Sequence, residues 1–172
     1  MKAKILGLLA VGMLTASSAN AAALTWTLAG VTFDDGTVAS GSFVYDADLN
    51  VYSDWSVSVQ DGTLSAFTYD NTSSGLRAEN RDATGVIFAN LDVTRYINLN
   101  FVAPLTNAGG AVALDLTPFF VNFGVSSYEC DNCNVVRQAT AGSVVADVPE
   151  PASLALLGLG LAGLGLSRRR KA

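Results

Sequence analysis

From Leu24 onward the chain alternates apolar and polar residues in short runs, and a period of two is the signature of a β-strand with one buried face. In LTWTLAGVTF (24–33), Leu24, Trp26 and Leu28 fall on one side and Thr25 and Thr27 on the other. Phe43 and Tyr45 share a side in SGSFVYDAD (40–48), and DWSVSVQDG (54–62) sets Trp55, Val57 and Val59 against Ser56, Ser58 and Gln60. That run closes on Asp61-Gly62, and TLSAFTYDN (63–71) follows at once, so the two are expected to form a hairpin. Further strands are predicted at 86–91, 96–102, 111–116, 119–125, 135–139 and 143–148. No segment here sustains a 3.6-residue apolar period. Roughly seven to ten short strands rich in Val, Thr, Tyr and Phe predict an all-β domain, an antiparallel β-sandwich or jelly roll. Trp26 and Trp55 are each expected under a sheet. TSSGLRAENRDATG (72–85), the least patterned stretch, is expected to be a long surface loop.

The N-terminus follows a different grammar. Lys2 and Lys4 make a basic start, Ile5 to Leu14 an apolar run, and small residues follow. Such a run measures about 15 Å as a helix, against a hydrocarbon core of about 30 Å. It has no polar face, which argues against an amphipathic helix of the domain. Ala19-Asn20-Ala21 fits the small-x-small pattern of signal peptidase, which predicts a signal peptide over 1–21, cleavage between Ala21 and Ala22, and an exported domain over 22–147.

Between residues 22 and 147 the charge is lopsided. Four arginines (Arg77, Arg81, Arg95 and Arg137) face fourteen acids, a net charge of −10, with no lysine and no histidine. Such a domain repels phosphate backbones, so nucleic acid is not an expected partner, while self-repulsion keeps an exported protein soluble.

Without histidine, no Ser-His-Asp or Cys-His arrangement can be built. The acids Asp34, Asp35, Asp46, Asp48 and Asp70 could in principle pair as in glycosidases, but they occupy turn positions that favour Asp for its own backbone hydrogen bonds. Asp46, Asp48 and Asn50 have the opening spacing of an EF-hand loop, yet Val51 and Val57 stand where its Gly and closing Glu belong. No catalytic residue, metal or cofactor is therefore expected, and the chain reads as a non-enzyme. Cys130 and Cys133 are the only cysteines. They are too few for a zinc site and lack the strand-to-helix context of a redox centre, and in an exported chain they are expected to form a disulfide that pins a short loop.

The C-terminus, VPEPASLALLGLGLAGLGLSRRRKA (148–172), completes the pattern. Ala152 to Leu166 carries no charge, and at 1.5 Å per residue it reaches about 22 Å, enough to cross a membrane over about 152–167 with Arg168 to Lys171 snorkelling at the interface. Four consecutive cations rule out a core helix, and the positive-inside rule leaves them in the cytoplasm with the domain outside. Pro149 and Pro151 keep that helix separate from the domain. Together, Pro149-Glu150-Pro151, the apolar segment and Arg168, Arg169 and Arg170 resemble the PEP-CTERM sorting signal of Gram-negative bacteria. The stretch 31–60 is more loosely similar to the opening of a domain type common among such proteins. The resemblance implies export, transient membrane anchoring, recognition and cleavage by an exosortase, release or attachment at the cell surface, and association with exopolysaccharide in biofilm-forming bacteria. A structural or adhesive role in the extracellular matrix is the expectation. The alternative is a carbohydrate-binding module using exposed aromatics among Trp26, Trp55, Tyr52, Tyr69, Tyr96 and Tyr128 on the host exopolysaccharide. Tyr52 and Trp55 would lie on opposite faces of a regular strand.

Overall fold

The computed structural model describes residues 22–118 and 126–148. The proposed signal peptide, the strand predicted at 119–125 and the sorting helix lie outside these residues. Ten strands follow one another: β1 (Leu24–Phe33), β2 (Val38–Asp46), β3 (Val51–Val59), β4 (Phe67–Asp70), β5 (Ser74–Asp82), β6 (Gly85–Asn90), β7 (Arg95–Asn100), β8 (Gly110–Ala113), β9 (Tyr128–Asp131) and β10 (Val135–Ala146). Every pairing is antiparallel, and the described residues contain no helix. The strand order is β4-β3-β2-β1-β10-β9-β7-β6-β5, with β8 also on β10. This long sheet folds back on itself into a nearly closed, barrel-like sandwich, as the alternation predicts.

The long strand β10 does the folding. Its residues 143–146 lie between β1 and β8, whereas residues 135–138 pair with β9. Sequence predicts two strands here, interrupted at 140–142. The structure has one, because Gly142 (φ 139°) bends the strand without breaking its pairing. A Cβ at that position would lie 2.7 Å from Val31 Cγ2, so the bend and the close approach both require glycine.

The core is built from the predicted inward residues. Trp26, Phe43, Tyr45, Val57 and Tyr69 from β1–β4 are buried against Phe88, Ile97 and Leu99 of β6 and β7. Phe43 sits at the centre, its ring 5.4 Å from Tyr52 and 6.0 Å from Phe88. Aromatic pairs at these separations contribute about 0.5–1.5 kcal/mol each beyond area burial.

Three expectations are corrected. The β3–β4 hairpin exists, but residues 60–66 join the strands rather than a two-residue Asp-Gly turn, since Leu64 folds back into the core. Residues 74–82 form β5, because Gly75, Leu76 and Arg81 pair with Ala89, Phe88 and Val86 of β6. β9 was not predicted, its Tyr-Glu-Cys-Asp sequence having no alternation to read.

Candidate functional site

The densest chemistry lies inside one end of the sandwich, where β9 and β10 carry Glu129 and Arg137 inward, both 0% exposed. Glu129 Oε1 accepts hydrogen bonds from Tyr69 Oη at 2.7 Å and from Arg95 Nε and Nη2 at 3.0 and 2.8 Å. Its Oε2 accepts from Arg137 Nε at 2.6 Å, and Arg137 Nη2 is ion-paired to the same oxygen without an aligned hydrogen bond. Arg137 Nη1 reaches Thr37 Oγ1 at 2.9 Å, the Gln60 carbonyl at 3.0 Å and Asp35 Oδ2 at 3.4 Å. Arg95 extends to the hydroxyl and carbonyl of Ser65. Each guanidinium also lies 5.1 Å from a ring centre, Arg95 over Phe67 and Arg137 over Phe33.

Two carboxylates and two guanidiniums give a charge-neutral set in which each partner offsets the desolvation of another. Burial alone would raise the Asp35 carboxyl. The Thr37 hydroxyl and amide, the Thr63 amide and the Arg137 charge outweigh it and hold Asp35 well below the ordinary carboxylate value. Burial first, then the Glu129 charge, pushes the Tyr69 hydroxyl well above its ordinary value, so it stays a donor. Both Glu129 oxygens are taken, and the groups tie β4, β7, β9 and β10 to the loops after β1 and β3.

The acids considered for paired catalysis serve the backbone. Asp46 Oδ1 accepts from the amides of Asp48 and Leu49, and Asp70 Oδ1 from the amides of Thr72 and Ser73. Asn50, at φ 54°, accepts from Tyr45 Oη at 2.8 Å. Among the described residues, no three His, Cys, Asp or Glu side chains converge as a metal site.

Cys130 and Cys133 form the predicted disulfide, Cα atoms 4.8 Å apart, across the β9–β10 hairpin. Asn132 and Cys133 both take positive φ there, 49° and 47°. The bridge lies on the opposite face of β9 from Glu129, in a small cluster with Tyr96, Tyr128 and Val136. Cys133 Sγ is 2.8 Å from Tyr96 Oη.

Among the described residues the aromatic side chains do not form an exposed platform. Trp26, Tyr52, Tyr69 and Tyr128 are buried. Tyr52 and Trp55 do not face opposite ways, because Asp54 (φ 46°) inserts a bulge opposite Phe43 that turns both inward. Trp55 stacks on Phe88 at 5.6 Å and donates to Ser74 Oγ at 2.9 Å. Tyr96, half-buried, packs edge-on against Tyr128 at 6.0 Å.

The buried network was missed in the sequence because a lone charge in a strand reads as a solvated one. The one available signal was the scarcity of arginine in a domain without lysine.

What the fold defines is an all-β, barrel-like sandwich whose described buried charges pair internally. Residues 147–171 match the PEP-CTERM protein-sorting motif, so the chain carries that motif at its C-terminus, directly after β10. The motif marks an exported protein that is sorted at the membrane and processed by an exosortase. Neither a curated protein nor a solved structure matches the chain.

Proposed function

We propose that the processed protein is a non-enzymatic component of the cell surface or extracellular matrix, associated with exopolysaccharide. The observation that carries this reading is the sorting motif placed on a domain whose buried carboxylates and guanidiniums pair with one another. Signal peptidase, between Ala21 and Ala22, and the exosortase are its transient partners. Pro149, Glu150, Pro151 and the Arg168–Arg170 cluster are the residues the exosortase system recognises.

The test compares a host with and without this chain. The processed protein should co-purify with the extracellular polysaccharide, and its loss should weaken the matrix against shear at unchanged polysaccharide yield. Incubation with that polysaccharide should leave its chain length unaltered. Normal shear resistance, or shortened chains, would sink the reading.

The second reading, a carbohydrate-binding module, is favoured by one observation. The outer face of β1–β4 carries no cation, holds its acids at the edges (Asp54 and Asp70), and is densely hydroxylated between them.

A further inference from the structure

We infer that this outer face is the docking surface for a neutral polysaccharide chain, an inference that rests on the second reading above. Phe43, Tyr45, Val57, Val59 and Tyr69 point into the core, so their strand neighbours point out. Register then sets the outward residues in rows. The central row runs Val145, Thr27, Ser42, Ser56 and Asp70 across five strands. On one side of it Ser40, Ser58 and Thr68 are cross-strand partners, and on the other Thr25, Val44 and Ser53.

Neighbours along a row are about 4.8 Å apart and rows about 6.7 Å apart where the strands are regular, giving a curved grid of eight hydroxyls. Ser58 and Thr68 hydroxyls bond each other at 2.9 Å. Those of Thr25, Thr27, Ser40, Ser42, Ser53 and Ser56 have no intramolecular partner among the described residues. Beside the row of Ser40, Ser58 and Thr68 lies a shallow depression of about 490 Å³, lined by those residues with Gln60, Asp61 and Phe67.

Strand propensity accounts for the threonines but not for the five serines, since Ser is not a strand former. Nor is this an ordinary solvated face, which would carry Lys, Arg or Glu. The composition suits one ligand chemistry. Hydroxyls both donate and accept, as sugar hydroxyls do, and short side chains on a hydrogen-bonded sheet lose little entropy on binding. A net charge of −10 over 22–147 repels polyanions, which leaves uncharged glycans. Among the described residues no exposed ring stands on this face to stack on a sugar, so each contact is weak, and a long chain engages through many copies at once.

The test is affinity electrophoresis of the processed protein from the host, in native gels cast with dextran, hydroxyethyl cellulose, galactomannan or alginate. At least one neutral polymer should retard it, and alginate should not. The double variant S42E/S56K leaves net charge unchanged and creates a favourable cross-strand pair, so folding is retained. It should raise the dissociation constant at least tenfold. S42A/S56A, which adds no bulk, should raise it severalfold with an unchanged melting temperature. Wild type unretarded by every neutral polymer overturns the carbohydrate reading itself. Retardation of wild type and both variants alike overturns the location only. Self-association in sedimentation that S42E/S56K abolishes would overturn the inference in favour of stacking between copies.

Discussion

At the residue scale, Glu129 governs the interior, because two arginines and a tyrosine meet on its carboxylate. Removing it leaves two buried guanidiniums opposite Asp35 alone. Breaking a buried ion pair by deleting one partner costs about 3–5 kcal/mol. Glu129→Ala should therefore lower the urea midpoint by that equivalent, measured by tryptophan fluorescence, and a loss under 1 kcal/mol would refute the account. Asp35 gives the pH dependence. Its folded-state value is depressed below the ordinary 3.8, so its contribution is fully present above that pH and is lost as pH falls through the depressed value. The stability gap between wild type and Asp35→Asn should be largest near pH 7 and shrink below pH 3.8. A constant gap down to pH 2 would show that Asp35 acts by shape alone. Little of this was legible in the sequence. Asp34-Asp35 announced a turn, and it is one, but no local pattern shows that Arg137 lies one hundred residues away in the chain and beside Thr37 in space. The alternation that exposed Trp26 and Val57 as core works because each neighbour contrasts with it. Glu129 sits between Tyr128 and Cys130, which are also buried, and the contrast disappears.

At the element scale, strands with a clean two-residue period were readable and those held by their partners were not. β1 follows its pattern, β6 and β7 were readable from apolar content although both of their faces are buried, and β5 is a charged sheet edge, a composition that protects the edge against pairing with other chains. Its residues are extended because β6 supplies hydrogen bonds, a fact that no window over 72–85 contains. Bulges were equally invisible, and the one at Asp54 turns Trp55 toward the core. Gly41 allows the β2–β3 pairing beside that bulge. At φ 121°, it would place a Cβ 2.0 Å from the Ser56 carbonyl oxygen, a rigid backbone atom. Gly41→Ala should cost at least about 2 kcal/mol and should speed hydrogen exchange in β2 and β3 ahead of β6 and β7. A variant as stable as wild type would remove this reading of the bulge. The disulfide predicts the opposite breadth of effect. With only two residues between its cysteines, the chain-entropy stabilisation is about 2 kcal/mol at most. Cys130→Ser/Cys133→Ser should stay folded and exchange faster only around 129–137. Exchange rising equally across β1–β3 would make the bridge a support for the whole fold.

At the scale of the whole molecule, both ends of the domain emerge together. Leu24 pairs with Tyr45, Asp46 with Val51, and Ala146 with Gly110, so the start of β1, the β2–β3 turn and the end of β10 share one pole. The buried charge network occupies the opposite pole. Removal of the N-terminal segment and a cut near Pro149-Glu150-Pro151 would together change the charge. The full sequence has a net charge of −5, whereas residues 22–147 carry −10, because the basic residues of both ends are gone. That difference makes processing measurable without a label. Wild-type protein from the cell surface should elute late on anion exchange and have an intact mass ending near the motif. Replacing Pro149, Glu150 and Pro151 together by alanine should leave a longer, less acidic species in the membrane fraction. Replacing Arg168, Arg169 and Arg170 by glutamine tests a different step, since it removes the cytoplasmic anchor and leaves the cleavage motif intact. It should reduce the amount held at the membrane before cutting and leave any cut product with the wild-type mass. If the alanine variant yields that same product in wild-type amounts, Pro149-Glu150-Pro151 does not direct the cut, and the processing site lies elsewhere in the segment after β10.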